Sequence, residues 1–295
     1  MSIETSSPRP DVSVIIPHFN QVNALRACLK SVVAQTYPAT KTEIILVDNN
    51  SEQDLSFVQR EFPSVRFLRE INRGAAHARN AGLAVARANK IAFIDADCIA
   101  DQNWLAAGVE ALDQHPLLGG NIVVTAQSDH QLTGVEAFEQ IFAFRQEFYI
   151  KRKQFTVTAN FFARRSVFDT VGLFQNGVAE DFEWCKRAHA IGIPLAFIVN
   201  STVMHPARKN WDELTNKWDR LTIERWNGFK VKSRLKNAYW IMLAMATAIS
   251  SGPHLAAVMF SNRVTGLKNK IAAAVVLIRI RLWRSHRMLS VSGAL

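Results

Sequence analysis

The first 125 residues alternate between short apolar runs and longer segments with helical periodicity. Five runs of four or five residues fit buried strands: Val12–Ile16, Glu43–Val47, Val65–Leu68, Ile91–Ile94 and Asn121–Thr125. After the first run, Leu25, Leu29, Val32 and Val33 follow the i, i+4, i+7, i+8 spacing of a helix. Strands separated by helices imply parallel pairing through right-handed crossovers. The sequence therefore predicts an α/β fold with a mostly parallel, Rossmann-like sheet and helices on both faces.

The fourth apolar run leads directly into two carboxylates, Asp95 and Asp97, which are separated by one residue. In open α/β sheets, ligands bind at the carboxyl ends of the strands. Two carboxylates this close repel each other, and a hard divalent cation shared with substrate phosphates would relieve that repulsion. The alternative is a solvated turn in which an Asp caps the helix that begins near Asn103.

Residues suited to a nucleotide follow each of the first four strands: Phe19 and Asn20, Asp48, Asn72, and Asp95. Phe19 could stack on a base, and Asp48 could accept a hydrogen bond from an imide N–H or a ribose hydroxyl. Gly74 permits close backbone approach at a helix start, where N–H groups favour phosphate, and Arg79 could neutralise phosphate charge. Taken singly, each has an ordinary alternative: a core Phe, a capping Asp or a surface Arg.

The charge is unevenly distributed between a near-neutral body and a basic C-terminal segment. The net charge is +10, but residues 1–205 carry a balance of −2 and residues 206–295 carry +12. A basic segment on a neutral body indicates an anionic surface as partner. The three cysteines show no metal-ligand spacing, which favours buried thiols in a reducing compartment. The first ten residues lack an apolar signal core, so nothing indicates secretion.

Several segments resemble family 2 glycosyltransferases, which have the GT-A fold. They are VSVIIPHFN, ILVDNNS, NRGAAHARNAG and FIDAD, followed by TANFFARRSVFDTVGLF and AEDFEWCKRAHAIG, over about Val12 to His205. The sequence departs slightly from the family pattern at two positions: His18 stands where a small residue is common, and Phe19 stands where Tyr is common. The resemblance implies metal-dependent, inverting transfer of a sugar from a nucleoside-diphosphate sugar, with a UDP-sugar favoured. The acceptor would be a hydroxyl of a glycan or lipid-linked molecule in cell-surface polysaccharide assembly.

The resemblance also assigns site residues. The donor would be bound by Pro17, Phe19, Asn20, Asp48, Asn72, Gly74, Arg79 and Asp95. Asp97 and His205 would hold the divalent metal, Mg²⁺ or Mn²⁺, and Asp181 would be the general base. A base is needed because a sugar hydroxyl is a poor nucleophile until its proton is accepted. From the residues alone, Asp181 could instead cap a helix, and His205 could be a hydrogen-bonded histidine at the rim.

The sequence divides the chain into a catalytic domain, residues 1–205, and a basic, apolar, helical C-terminal region, residues 206–295. Ala238–Phe260 carries no formal charge and is long enough to cross a bilayer, but residues 250–253 (SSGP) interrupt it. Because basic residues flank both sides, a re-entrant hairpin or interfacial segments are favoured over a single span. A helical stripe follows, as in helices that lie in the membrane plane: Leu267, Ile271, Val275, Ile278 and Leu282.

We therefore expect a peripheral or monotopic enzyme at the cytoplasmic face of the inner membrane, with an anionic membrane surface as partner. Nucleic acid is the rival anionic partner, but the C-terminal region contains no recognised nucleic-acid motif. One rival function is a nucleotidyltransferase, although PHFNQVNALRA after the first strand has no glycine and one basic residue. The other is a catalytically silent nucleotide-binding membrane module, although Asp95, Asp97 and Asp181 are all present.

Overall fold

The computed structural model describes residues 9–126, 132–228 and 234–293. The chain forms two compact units. Of the described residues, the first contains 9–123, 145–176 and 180–205, and the second contains 124–126, 132–144, 177–179, 206–228 and 234–293.

An eight-stranded sheet dominates the first unit. Its strands in chain order are β1 Val12–His18, β2 Thr42–Asp48, β3 Arg66–Arg69, β4 Lys90–Ile94, β5 Ile99–Ala100, β6 Leu117–Thr125, β7 Asn160–Arg164 and β8 Leu195–Pro206. The order across the sheet is β3-β2-β1-β4-β7-β6-β8-β5. β1 pairs in parallel with β2 and β4, and β2 pairs in parallel with β3. β7 runs antiparallel to both β4 and β6. The predicted α/β fold with a mostly parallel sheet is confirmed.

All five predicted strands differ from the observed strands at one end or both. β1 continues through Pro17 to His18, β2 gains one residue at each end, and β4 begins one residue earlier. The third strand lies one residue later than the predicted Val65–Leu68, because its pairing with β2 joins Ile45 to Arg66 and Asp48 to Arg69. The fifth predicted strand is β6, which begins at Leu117, because Leu117–Gly119 pair with β7. The glycines at 119 and 120 hide this extension in the sequence, since glycine is a poor strand former.

The helices that the described residues form are α1 Val22–Val33, α2 Ser56–Glu61, α3 Ala75–Val85, α4 Trp104–Ala111, α5 Gly134–Phe142, α6 Gln146–Lys153, α7 Arg165–Val171, α8 Glu180–Ala190, α9 Trp211–Asn227, α10 Arg234–Ile249, α11 Ser251–Met259 and α12 Leu267–Val291. In the first unit, α7 and α8 complete an aromatic core. Phe93 of β4 and Phe161 of β7 meet edge to face, and Phe161 contacts Trp184 of α8 in the same way. Such contacts add to area burial, so this core fixes α8 against the sheet.

The second unit is helical and has its own apolar core. Phe138 and Ile141 of α5 are buried in one cluster with Leu214 of α9 and with Leu277 and Ile280 of α12. In the described part of the chain, one helical segment, Asn237–Met259, is long and apolar enough to cross a bilayer by length and composition. It covers most of α10 and all of α11, which are separated at Ser250, within the interruption that the sequence predicted.

The face of α12 that carries the predicted stripe is exposed. Its five residues are 40–63% exposed: Leu267, Ile271, Val275, Ile278 and Leu282. Leu277 and Ile280, which lie off that stripe, are buried in the core of the unit. The helix therefore has two apolar faces, one of which packs inside the unit while the other faces outward.

Candidate active site

A buried arginine connects the carboxylates of two distant segments. Arg79 lies on α3 and is only 4% exposed. Its Nη2 atom donates to Asp95 Oδ1 at 2.7 Å, and its Nη1 atom donates to Glu180 Oε1 at 2.6 Å. Such charge-assisted bonds are the strong ones in proteins. Arg79 therefore holds the carboxyl end of β4 next to the first turn of α8. Its predicted contact with donor phosphate remains a prediction.

Asp97 and His205 lie side by side because of a two-residue strand. β5 pairs antiparallel with β8, with Ile99 opposite Met204, so the residues just before Ile99 are brought next to His205. His205 Nε2 lies 3.5 Å from Asp97 Oδ2. The thiol of Cys98 joins them, and the three ligand atoms lie within 4.8 Å of one another.

This donor set fits a divalent metal. A carboxylate oxygen and an imidazole nitrogen are ordinary ligands for Mn²⁺-like ions, and Asp97 and His205 supply them from adjacent strand ends. Burial raises the pKa of the Cys98 thiol well above its usual value, so the carboxylate and the imidazole are the two ready ligands. The sequence patterns drew attention to Asp97 and His205 but not to Cys98.

Asp181 lies in the first turn of α8, next to Glu180. Burial, followed by the charge of Glu180, raises the pKa of Asp181 to about 7. The negative charge of Asp95 acts in the same direction, whereas Arg79 and the N–H of Phe182 oppose it. That N–H donates to Asp181 Oδ1 at 2.7 Å. A carboxyl that titrates near neutral pH is suited to accept a proton.

Asp48 is held at the end of β2 by His18 and Ser51. The N–H of Gln21 donates to His18 Nε2 at 3.1 Å, so the geometry assigns the ring proton to Nδ1. Nδ1 faces Asp48 Oδ1 at 3.4 Å, and the N–H of Ser51 lies 3.3 Å from both carboxylate oxygens. Burial lowers the pKa of His18, although Asp48 opposes that shift. His18 therefore acts as a neutral positioning residue for Asp48.

Asn49 ties the loop after β2 to the loop after β3. Its Nδ2 atom donates to the carbonyl of Asn72 at 2.7 Å, and its Oδ1 atom accepts from the N–H of Gly74 at 2.7 Å. Gly74 has φ +134°, and a Cβ atom there would lie 2.2 Å from Asn176 Oδ1. The Asn72 side chain donates to Glu70 Oε1. The sequence directed attention to Asn72 and Gly74, but Asn49 fixes their backbone.

The loop after β1 presents the remaining predicted donor residues. Pro17 is the last but one residue of β1 and pairs in register with Val47. Phe19 is 43% exposed, with the guanidinium of Arg73 5.4 Å from its ring centroid. Asn20 has φ 52° and accepts a hydrogen bond at Oδ1 from the N–H of Glu52 at 2.9 Å. Phe19 is therefore accessible for stacking and is not a core residue.

Comparison with known proteins identifies the family of the chain. The family model described as Glycosyl transferase family 2 matches residues 13–172, more than half of the sequence. The chain belongs to glycosyltransferase family 2. As a family member it is a glycosyltransferase, which excludes the nucleotidyltransferase rival. The matched segment contains Asp48, Arg79, Asp95 and Asp97, and it ends before Asp181 and His205.

Similarity to individual glycosyltransferases extends beyond the matched segment. Glycosyltransferase AglE of Haloferax volcanii is 32% identical over 252 residues, which cover 81% of this chain and 82% of that protein. The Escherichia coli glucosyltransferase WfgD, named UDP-Glc:alpha-D-GlcNAc-diphosphoundecaprenol beta-1,3-glucosyltransferase, is 35% identical over 102 residues, 34% of this chain and 38% of that protein. Among solved structures, the chain is similar to the mannosyltransferase PcManGT of Pyrobaculum calidifontis in complex with GDP-Man and Mn²⁺. The TM-score is 0.61 and the sequence identity is 18%, and the match covers 98% of this chain and 87% of the PcManGT chain. This likeness confirms the GT-A fold.

Proposed function

We propose that this glycosyltransferase moves a sugar from a nucleoside-diphosphate sugar to an acceptor hydroxyl, with inversion at the anomeric carbon. One observation carries the proposal: Arg79 links Asp95, at the end of β4, to the turn of α8 that bears Asp181. The pKa of Asp181 is raised to about 7. A proton acceptor that is ready at neutral pH therefore lies within electrostatic reach of the predicted donor-binding carboxylate.

The residues present support a metal-dependent reaction. Asp97 and His205 would hold a divalent ion, Mg²⁺ or Mn²⁺, and the PcManGT complex contains Mn²⁺ together with its donor. When bound, such an ion neutralises charge that develops on the departing nucleoside diphosphate. Asp95 would orient the donor beside the ion, while its bond to Arg79 keeps the carboxylate fixed.

Asp181 would act directly on the acceptor. Its carboxylate accepts the proton of the attacking hydroxyl as the new C–O bond forms and the bond to the nucleoside diphosphate breaks. A single displacement from the opposite face inverts the configuration. The exposed ring of Phe19 would stack on the base, and Asp48, positioned by His18, would accept hydrogen bonds from the base or ribose.

We also propose a lipid-linked or glycan acceptor and a peripheral or monotopic location at the cytoplasmic face of the inner membrane. The exposed stripe of α12 and the +12 charge balance of residues 206–295 support a membrane surface as partner. The name of WfgD, a relative over about a third of this chain, gives a diphosphoundecaprenol-linked acceptor for that protein. Assembly of a cell-surface polysaccharide is the setting that matches these features.

The decisive experiment is a screen of UDP- and GDP-sugars for metal-dependent turnover by the full-length protein. We expect release of nucleoside diphosphate from one donor in the presence of Mn²⁺ or Mg²⁺, and loss of that release in EDTA. Asp181→Asn should bind the same donor without turning it over at the parent rate. If donors bind but none is turned over with any membrane extract as acceptor source, the chain is a silent nucleotide-binding module.

A further inference from the structure

Three arginines of the second unit lie within electrostatic reach of one another, and one of them, Arg284, stacks on a tryptophan. Arg281 and Arg284 lie on α12, and Arg225 lies on α9. The guanidinium carbon of Arg284 lies 3.5 Å from the ring centroid of Trp218, which is also on α9. Burial lowers the pKa of Arg284, and the positive charges of Arg281 and Arg225 lower it further. These three arginines form what we call the arginine cluster.

The arginine cluster has no counter-charge among the residues that the structure describes. None of the three guanidinium groups has a carboxylate within 4.0 Å there, and no acidic residue follows Glu224 in the sequence. The neighbouring acids bind other cations: Asp219 pairs with Arg287, and Glu224 lies 3.8 Å from Arg220. Like charges held together at a partly buried site repel each other, so the cluster is poised to bind an anion.

The arginine cluster and Trp218 also contain buried hydrogen-bond donors without partners among the described residues. Four buried side-chain nitrogen atoms lack a hydrogen-bond partner over residues 9–126, 132–228 and 234–293. Three of them belong to this site: Trp218 Nε1, Arg281 Nε and Arg284 Nε. A buried donor without a partner is costly, and such donors call for an explanation such as a bound group. The concentration of three at one site indicates a ligand with several acceptor oxygens.

One member of the arginine cluster, Arg281, adjoins the outward apolar face of α12. Ile278 and Arg281 are three residues apart, so their side chains are neighbours on the helix surface. Leu282, the last residue of the exposed stripe, lies four residues after Ile278 on the same face. Arg225 is itself exposed, so one side of the cluster reaches solvent. The fitting ligand has an anionic head and an apolar chain.

We propose that the arginine cluster binds the phosphate group of a membrane lipid, whose apolar chain lies along the exposed stripe of α12. Guanidinium groups match phosphate oxygens through paired, charge-assisted hydrogen bonds. Basic pockets beside membrane-facing helices are suited to lipid head groups. The inference rests on the proposed membrane attachment of the second unit, and it assigns that attachment a specific anion site.

The test uses the full-length protein and a water-soluble probe, dihexanoyl phosphatidic acid, measured by calorimetric titration. Because a hydrogen bond to a charged group contributes about 1.5–3 kcal/mol, Arg284→Gln should weaken binding at least about tenfold. Arg281→Gln should do the same. The matched control is Arg263→Gln, in the loop between α11 and α12, where the exposed side chain has no ion pair among the described residues; its affinity should stay within about twofold of the parent's.

Further titrations test whether the ligand is a lipid phosphate and whether the arginine cluster is its binding site. Inorganic phosphate should bind much more weakly than the lipid phosphate; equal affinity would overturn the lipid assignment. Equal binding by the parent, Arg284→Gln and Arg281→Gln would overturn the site. If Arg284→Gln fails to fold, Arg281→Gln decides the question, because Arg281 has no ring contact within the described residues.

A final arm distinguishes failure of this site from failure of the proposed function. Phosphatidylcholine vesicles, with and without phosphatidic acid, report membrane attachment, while nucleoside diphosphate with Mn²⁺ reports the donor site. Binding of soluble lipid phosphate without vesicle binding would refute attachment and support the site. Donor binding should be the same in the parent and in every arginine variant; a parallel loss of donor affinity would show that these arginines maintain the fold, and would overturn the proposal.

Discussion

Arg79 donates a hydrogen bond to Asp95 over 2.7 Å while its other Nη atom binds Glu180, and the arginine side chain is 5% exposed. One cation thus stabilises two carboxylates that are 85 residues apart in the chain. The negative charge of Asp95 reaches Asp181, whose pKa it helps to raise, whereas the positive charge of Arg79 has the opposite effect. The donor-side acid and the predicted base are therefore electrostatically coupled, and the positive charge of Arg79 partly offsets that coupling.

The first prediction concerns Arg79→Met. Removal of one partner from a buried ion pair leaves uncompensated charge, so the free energy of unfolding should fall by about 3 kcal/mol. Denaturant unfolding measures this change. The control is Arg26→Met, which removes a surface pair with Glu61 and should cost much less, because solvent screens exposed pairs. Equal losses in the two variants would show that the Arg79 network contributes no more than a surface pair.

The second prediction concerns Asp181→Asn. The amide keeps the shape of the side chain but cannot take a proton, so the transfer rate should fall by roughly 10²–10⁴. Donor affinity should be nearly unchanged, because Asp181 is assigned to the acceptor hydroxyl. Single-turnover kinetics and donor titration measure the two quantities. Asp169→Asn, an exposed acid on α7, should leave both unchanged. If Asp181→Asn retains most of the parent's transfer rate, Asp181 is not the general base and only occupies the helix terminus.

The third prediction is a pH profile. Only the carboxylate form of Asp181 can accept a proton, and its pKa is about 7. The transfer rate should therefore rise through pH 7 and lie about tenfold below its plateau at pH 6. The residual transfer rate of Asp181→Asn should not show this rise between pH 6 and 8. A parent profile that is flat between pH 5 and 8 would contradict the assignment.

The raised pKa of Asp181 also makes the free energy of unfolding depend on pH. The pKa of Asp181 lies above the ordinary value of 3.8, so between these two values the folded state binds more protons than the unfolded state. The contribution of this group to the free energy of unfolding therefore falls as pH rises from about 4 to 7. Asp181→Asn should accordingly gain stability relative to the parent at pH 8 but not at pH 4, as measured by denaturant unfolding.

The features that the sequence predicted well are local. The apolar run before Asp95 fixes a strand, and the strand end fixes where the two carboxylates emerge. The exposed stripe of α12 follows directly from helical spacing, since Ile271 and Val275 are four residues apart on one face. In each case a short pattern determines the geometry.

The features that the sequence could not predict depend on long-range pairing. The partner of Arg79 is Glu180, 101 residues away, and no spacing rule links them. The two-residue strand β5 is too short for any periodicity, yet its pairing with Met204 brings Asp97 to His205. The apolar run of β7 likewise does not reveal that the strand pairs antiparallel. A strand that is buried on both faces has the same apolar pattern in parallel and in antiparallel pairing.

A further prediction concerns Asp97→Asn. Its side chain should serve the metal rather than the core, so the fold should persist while metal-assisted binding of nucleoside diphosphate is lost. Calorimetric titration with Mn²⁺ present and absent measures this, and circular dichroism checks the fold. Asp101→Asn, an exposed acid four residues later, is the matched control and should retain the metal effect. If Asp97→Asn and the parent bind nucleoside diphosphate equally well in the presence of Mn²⁺, Asp97 is not a metal ligand.

The last prediction tests the exposed stripe of α12. Burial of each large aliphatic side chain contributes about 1.5–3 kcal/mol, so Ile271→Glu with Val275→Glu should abolish sedimentation with liposomes. Both residues are exposed, at 52% and 59%, and the fold should therefore survive. High salt should release the parent only partly, because salt screens charge and does not weaken apolar burial.

Truncation would be a poorer test of membrane attachment, because α12 packs against α5 and its loss would expose Phe138. The matched control is Ile191→Glu with Val199→Glu, two apolar residues of the first unit that are 54% and 61% exposed. This control should sediment with liposomes like the parent. If the parent itself stays in the supernatant, or if both double variants lose binding equally, the outward face of α12 is not the membrane contact. A protein–protein interface would then be the better explanation for its exposed apolar residues.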